Sequence, residues 1–388
     1  MINVLWLASW YPNQLSKFDG DFLQRHAKAV GLYCRVHVIY IVKDEKKLVT
    51  KDAKTELRSN GNLTEQIIYY AAPKTGFRIL DKYLSQRKYT RLYQNAVNSY
   101  IADNGKPRLV HVQIAMKAGL AALWIKRKWG IPYIVSEQWT AYLSNADLKI
   151  TDYPFIFQKL LKKILNEAAA VTVVSDHLGK AVQKHFPTVQ YQVIPNVVDT
   201  DIFYPAQNQK TVITRFIHIS NMNFQKNSEA ILKALSILKY TVAFEMYMYG
   251  TANPVLLELI SSLGLQKHVF TKGEVPQPQL AGAIRESDAL ILYSRYETFG
   301  CVLIEANACG VPVIVSDIEV FHEIIKQGVN GIFAKSENPE ALAEKLKDFT
   351  SQKNNFDKIS IAEATAGKYR FSKVGQSFFD LYNRLLIK

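Results

Sequence analysis

At 388 residues, 48% of them hydrophobic and 21% charged, the chain is long enough for two domains of ordinary size and too apolar for a disordered protein. No apolar run approaches the roughly 20 residues that cross a bilayer, and the three cysteines Cys34, Cys301 and Cys309 have no metal-ligand spacing and read as small reduced hydrophobes. The formal charge of +14 sits wholly in the first half, where Met1 to Pro195 carries 28 Lys+Arg against 14 Asp+Glu and the remainder 20 against 20; this points to an anionic partner for that half, with surface solubility as the plainer reading.

The opening MINVLWLASWYP has neither a basic leader segment nor a small-residue cleavage site and reads as a first strand. A turn-rich loop to Phe22 and a helix FLQRHAKAVGLY follow, then a strand VHVIYIV. Residues 43–62 are polar and read as a surface excursion, ahead of a short strand at Gln66–Tyr70. The segment 76–94, GFRILDKYLSQRKYTRLYQ, mixes five Lys/Arg with one Asp and with aromatic and aliphatic residues near helical spacing. That composition suits an anionic membrane surface, and equally a solvated helix with an ordinary core face. LVHVQIA, GLAALWIKRKWG and PYIVSEQ give strand, helix and strand, and KLLKKILNEAAAVTVVS is a helix running into a strand. The alternation predicts a doubly wound parallel sheet.

VIPNVVDTDIFYP (193–205) breaks the rhythm with two prolines and suits an inter-domain connection. A second α/β set begins at RFIHIS. It leads to the most informative stretch, Leu290–Val315, in which an apolar strand, a polar loop Ser294–Gly300, a helix and a second apolar strand follow one another. Two glutamates, Glu297 and Glu305, stand with seven residues between them. A loop at the carboxyl end of a parallel strand is where open α/β sheets bind ligands. Gly300 permits close approach, and the amides at the helix start favour an anion.

This stretch resembles the paired-glutamate motif of the retaining nucleotide-sugar transferases of glycosyltransferase family four. The resemblance is carried by S-x-x-E-x-F-G at Ser294–Gly300 and E-A-x-A-x-G-x-P-V at Glu305–Val313. Further matches are Gly20 in the first loop, the PNVVD segment (with Val197 where the family has glycine) and Lys226 in HISNMNFQKN (218–227). The resemblance implies an α/β protein of the GT-B fold, two Rossmann-like doubly wound parallel-sheet domains facing a cleft. It places an acceptor-side domain at 1–194, a hinge at 195–210, a donor domain at 211–368 and a terminal helix at 369–388 crossing back to the first domain.

It also implies roles. Glu297 would touch sugar hydroxyls, Glu305 the nucleotide ribose and Lys226 the diphosphate, while Gly20 and the amides of Phe299, Gly300 and Cys301 would approach phosphate. The family's arginine beside the diphosphate is Asn221 here, which removes a charge and a bidentate fork; Arg215 or Arg295 are the cations that could replace it. Positions where the family often has histidines read Gln113 and Gln138. Gln138 is expected to contact acceptor without acting as a base, and His111 reads as a core histidine. The family's paired glycines are Glu319-Val320, so a side chain at Glu319 would intrude near the sugar, while Glu323 is kept.

The implied activity is transfer of a sugar from a UDP- or GDP-sugar to a glycan or lipid-linked acceptor in envelope polysaccharide synthesis. No cofactor is expected, and no metal either, because no D-x-D carboxylate pair sits at a strand end: Asp19/Asp21 lie in the phosphate loop and Asp199/Asp201 in the hinge. The protein would be cytoplasmic, peripheral on the inner membrane face through its basic first domain, and no nucleic-acid module is present. Two readings compete: a module that binds nucleotide-sugars or glycans without turnover, suggested by Asn221, Gln113, Gln138 and Glu319, and a nucleotide-sugar epimerase on the same two-domain fold.

Overall fold

The computed structural model describes residues 1–206 and 213–387. Eight strands form the first sheet: β1 (Asn3–Ala8), β2 (Arg35–Lys43), β3 (Ala53–Asn60), β4 (Leu63–Tyr70), β5 (Leu109–Gln113), β6 (Tyr133–Glu137), β7 (Ala170–Val173) and β8 (Tyr191–Val193). Their order across the sheet is β3-β4-β2-β1-β5-β6-β7-β8. Between and beside them run α1 (Asp21–Gly31), α2 (Arg78–Asn104), α3 (Met116–Trp129), α4 (Phe155–Asn166) and α5 (Asp176–His185). The second sheet is wholly parallel, β9 (Thr214–Ile219), β10 (Phe244–Tyr249), β11 (Val269–Gly273), β12 (Ala289–Leu292), β13 (Val313–Ser316) and β14 (Gly331–Ala334), in the order β11-β10-β9-β12-β13-β14. Its helices are α6 (Ser228–Leu238), α7 (Pro254–Ser262), α8 (Gln277–Arg285), α9 (Cys301–Ala308) and α10 (Pro339–Gln352). The chain ends in α11 (Lys358–Tyr369) and α12 (Phe371–Leu386).

The first sheet is not purely parallel. Residues 53–62, expected as a polar excursion, supply the antiparallel edge strand β3, paired from Ala53↔Tyr70 to Asn60↔Leu63. The strand is exposed and polar along most of its length, so no apolar alternation marks it, and its charges suit an unpaired edge. The available signal was Asn60-Gly61, a hairpin-forming pair, with Gly61 at φ +57°.

The central strands bury both faces, which is why they read as continuous apolar runs. In the second sheet, Ile217, Leu290, Leu292 and Val313 pack toward a core shared with the first domain. Their alternates Phe216, Ala289, Ile291 and Ile314 face a separate core against α6 and α10. Two chain crossings join the domains and lie side by side, with the Val198 amide donating to the Tyr369 carbonyl at 2.9 Å. Of the expected hinge 195–210, residues 207–210 lie outside the described residues, as do 211–212 and 388. Beyond the second crossing α12 packs on α1 in the first domain. Gly375 sits so close that a Cβ there would be 2.1 Å from the Ala29 carbonyl oxygen. No helix among the described residues is long and apolar enough to cross a membrane.

Candidate functional site

Parallel strands bring their following loops to one edge, so the loops after β1, β5 and β6 face those after β9, β10, β11 and β12 across a cleft. Gly20 precedes α1 at φ +67°, and a Cβ there would lie 2.8 Å from the Trp10 carbonyl carbon and the Tyr11 amide nitrogen. Only glycine lets this loop fold against itself. On the opposite wall Gly300, at φ +97°, turns the chain into α9.

The loop after β9 is organised by a histidine. His218 is buried, and its Nδ1 donates to the Ile291 carbonyl at 2.9 Å. That fixes the tautomer, and Nε2 faces the hydroxyls of Ser220 (2.7 Å) and Ser228 (3.0 Å). Burial lowers its pKa to about 4, so the ring stays neutral. The loop so held presents Lys226 and the exposed Asn221, whose side chain has no partner among the described residues.

Lys226 Nζ donates to Glu297 Oε1, which also accepts from Ser294 Oγ at 2.9 Å, while Gln225 Nε2 donates to Glu297 Oε2 at 3.2 Å. Lys226 and Glu297 thus form one preassembled unit. Neither expected substitute for Asn221 reaches the cleft. Arg215 pairs with Glu245 at the amino end of β9 (3.1 Å). Arg295 is bound by Glu229 (2.8 Å), Glu337 (2.9 Å) and the Phe224 carbonyl.

The cation that does face this wall comes from the other domain. Arg25 on α1 donates from Nη1 to Glu305 Oε1 at 2.6 Å and lies 3.4 Å from Asp21, its neighbour one turn earlier. Burial works against the guanidinium charge, but Asp21 and Glu305 outweigh it and keep Arg25 protonated. Burial raises the Glu305 pKa, and Arg25 opposes the rise. One oxygen of Glu305 is therefore taken, leaving Oε2 toward the cleft. A second link joins Gln277 Nε2 to Asp21 Oδ2 at 3.0 Å. The signal for Arg25 was its place one turn after the glycine loop, on the helix face of Asp21.

Asp21, Arg25, Lys226 and Gln277 line a cleft of about 310 Å³ with Phe18, Asn221, Tyr249, Gly273, Cys301 and Glu305 among its walls, and Glu297 is joined to that lining through Lys226. Cys301, expected to be a buried hydrophobe, is part of this lining, though burial pushes its thiol up to about 12 and keeps it neutral. Phe299 instead packs its ring on Tyr369.

Residues 204–364 match the family model of glycosyl transferases group 1, and residues 54–202 that of glycosyltransferase family 4. The chain belongs to glycosyltransferase family 4. It is 24% identical over 256 residues to D-inositol 3-phosphate glycosyltransferase of Paenarthrobacter aurescens, covering 60% of this chain and 61% of that one. To N-acetyl-alpha-D-glucosaminyl L-malate synthase of Bacillus anthracis it is 22% identical over 305 residues, covering 74% and 77%. The chain spans 61–68% of the length of the inositol phosphate glycosyltransferases it matches. Its two domains have the GT-B fold. They are similar to sucrose-phosphate synthase from Thermosynechococcus elongatus (TM-score 0.79, 15% identity, 100% of each chain). They are also similar to the Anabaena protein HepE, solved with UDP and glucose (TM-score 0.71, 16% identity, 99% of this chain and 100% of that one).

The rest of this family 4 site differs from expectation in how its parts pair. Glu319 does not point inward; its carboxylate meets His177 Nδ1 at 3.2 Å across the domain boundary. Glu323 caps α5 by accepting from the amides of Asp176 and His177, both at 2.8 Å. His111 is a core histidine, bonded to Tyr382 (2.6 Å), Ser136 (2.7 Å) and Gln113 (3.0 Å), and burial holds its pKa well below the ordinary value.

Among the described residues, buried Gln138 has no partner for Nε2 and Gln113 none for Oε1. Between them in sequence lies Glu137, which no motif in the sequence marks. Its Oε1 accepts from the Ala115 amide (2.8 Å) and Tyr142 hydroxyl (3.1 Å), and burial raises its pKa to about 7 although these bonds and the nearby Gln138 and Trp139 amides favour the charged form. Ile114 beside it holds φ +66°, a strained angle for a β-branched residue.

Proposed function

We propose that the protein is a retaining, metal-independent glycosyltransferase moving a sugar from a UDP- or GDP-sugar to a glycan or lipid-linked acceptor in envelope polysaccharide synthesis. It would act in the cytoplasm at the inner membrane face and use no cofactor. The observation that carries this reading is the Lys226–Glu297 pair, set beside Asn221 and the start of α9 with Glu305 one turn along the same wall. The complex of HepE with UDP and glucose, on a similar fold, agrees with such a donor.

In this reading the diphosphate lies between Gly20 and the amides of Phe299, Gly300 and Cys301, with Lys226 stabilising negative charge as the bond to the sugar breaks. Glu305 Oε2 accepts a ribose hydroxyl while Arg25 holds Oε1. Glu297, fixed by three donors, is positioned for sugar hydroxyls. Gln138 contacts acceptor through its free amide. It is no base, so the departing phosphate oxygen takes the acceptor's proton, as a front-face retaining path requires.

The test is a thermal-shift screen of UDP-, GDP- and ADP-sugars followed by assay of nucleoside diphosphate release and NMR of the product's anomeric centre. A true donor at about 100 times its Kd stabilises the fold by about 2.7 kcal/mol. Retained anomeric configuration supports the mechanism, and inversion sinks it. Tight donor binding without diphosphate release for any acceptor would favour the second reading, a nucleotide-sugar binding module, to which Asn221 in place of a cation lends weight.

A further inference from the structure

The donor cleft is not the largest opening among the described residues. A trough of about 1110 Å³ lies where β2 ends at Lys43 and β4 at Tyr70, walled by the first turns of α2 and by Lys117 at the start of α3. It opens at the carboxyl edge of the first sheet, the edge that carries Gly20. Lys117 is near enough to Asp19, beside Gly20, to act on its ionisation.

Six cations line the trough: Lys43, Lys46, Lys74, Arg78, Lys82 and Lys117. Two carboxylates share the lining with them, and Asp19 lies within electrostatic reach of Lys117 outside it. Glu45 is spent on Lys43 at 3.0 Å, and Asp81 accepts from the Thr75 amide and hydroxyl at 2.6 and 2.7 Å. The other five cations have no ion pair or hydrogen bond among the described residues. Such a set repels itself until an anion joins it. Next to the lining residues Gly76, Arg78 and Lys82, the first turns of α2 expose apolar side chains, Phe77 at 73% and Ile79 at 86%, with Leu80 and Tyr83 also exposed. Cations in a hollow under an apolar lip match the two parts of a phosphorylated amphiphile.

We propose that this trough is the anion subsite of the acceptor, holding the phosphate or diphosphate headgroup of a lipid-carried substrate while Phe77, Ile79, Leu80 and Tyr83 rest in the bilayer surface. Calling the occupant an acceptor rests on the transferase reading; the anion site itself does not. No bond is made or broken in the trough. It holds the headgroup so that the attached hydroxyl reaches the sugar in the donor cleft.

The experiment has three arms, each run on the full chain. First, sodium pyrophosphate is titrated against wild type and R78Q/K82Q by calorimetry. Binding is expected, weakened about tenfold in the variant because each exposed charge contact contributes modestly, and weakened again by high salt. No binding, or binding that ignores the two substitutions, overturns the anion site. Second, flotation is measured on phosphatidylcholine vesicles carrying either polyprenyl diphosphate or phosphatidylglycerol at matched charge. Preference for the diphosphate lipid is expected, and equal flotation overturns a headgroup subsite in favour of a general anionic surface.

Third, F77S/I79S, altered only at exposed side chains, should lose flotation and keep pyrophosphate binding. Retained flotation, or pyrophosphate binding by wild type with no flotation at all, overturns the lipid source and leaves a free phosphorylated acceptor. Donor thermal shifts run alongside. If they fail while the pyrophosphate arm succeeds, the transferase reading falls and the anion site stands; the reverse result removes the site alone.

Discussion

Replacing Arg25 with methionine tests the inter-domain pair on which the donor wall is built. The side chains of Arg25 and Glu305 are 4% and 6% exposed and meet at 2.6 Å, so deletion of the guanidinium strands a buried carboxylate. Removing one partner of a buried pair costs about 3–5 kcal/mol, while E305Q, which keeps an acceptor for Arg25, should cost about 1–3 kcal/mol. In R25M/E305Q neither charge remains and methionine fills much of the arginine stem's volume. The double variant should therefore be about 2 kcal/mol or more better than the sum of the singles. The pH dependence supplies a second signature. Burial already raises Glu305, and without Arg25 the rise is unopposed. A carboxyl raised in the folded state contributes stability below its ordinary pKa and loses it as pH climbs through the folded value. The R25M deficit should thus grow from pH 5 to 8, and vanish from the double variant. Urea unfolding is followed by circular dichroism and by fluorescence, since all five tryptophans lie in the first domain and report it separately. Additivity within about 0.5 kcal/mol together with a flat pH profile would refute the reasoning.

Three further outcomes are expected. G20A combines a left-handed backbone with a Cβ 2.8 Å from Trp10 and Tyr11 backbone atoms, and should cost about 2–4 kcal/mol and weaken donor binding; wild-type stability and affinity in that variant would remove the glycine loop from the site. K226M leaves Glu297 without its ammonium and should cut turnover at least about 100-fold with the fold intact, as losing one oriented charge donor does elsewhere; turnover within about threefold of wild type would exclude Lys226 from leaving-group stabilisation. Glu137, lifted by burial from 4.5 to about 7, should withdraw about 3 kcal/mol of stability as pH rises from 5 to 8, a slope that E137Q abolishes; His26 and His218, each lowered by burial to about 4, act in the opposite sense and withdraw stability as pH falls from 6.5 toward 4. Unfolding free energies across pH 4–8 check both directions.

The sequence alone determined what depends on neighbours along the chain. Apolar runs with turn formers between them set the parallel strands, because strands buried on both faces must be continuously hydrophobic. Glu297, Gly300 and Glu305 lie within one strand–loop–helix, so their spacing fixed the geometry that makes them recognisable. The edge strand β3 was harder to see because an exposed strand needs no apolar face, and only Asn60-Gly61 announced it.

What the tertiary structure decided is which groups meet. Arg25 and Glu305 are 280 residues apart, on helices of different domains, and meet only in the folded chain, where α12 also packs on α1. Neither Arg215 nor Arg295 serves the cleft, since each has acidic partners elsewhere that no local pattern reveals. Glu319 turns outward to His177 for the same reason. The unpaired cations of the trough gather from the loops after β2 and β4 and from α2 and α3, segments that only the folded sheet brings to one edge. Local spacing sets backbone shape, but the partner of a long charged side chain is chosen by whatever the fold places within reach.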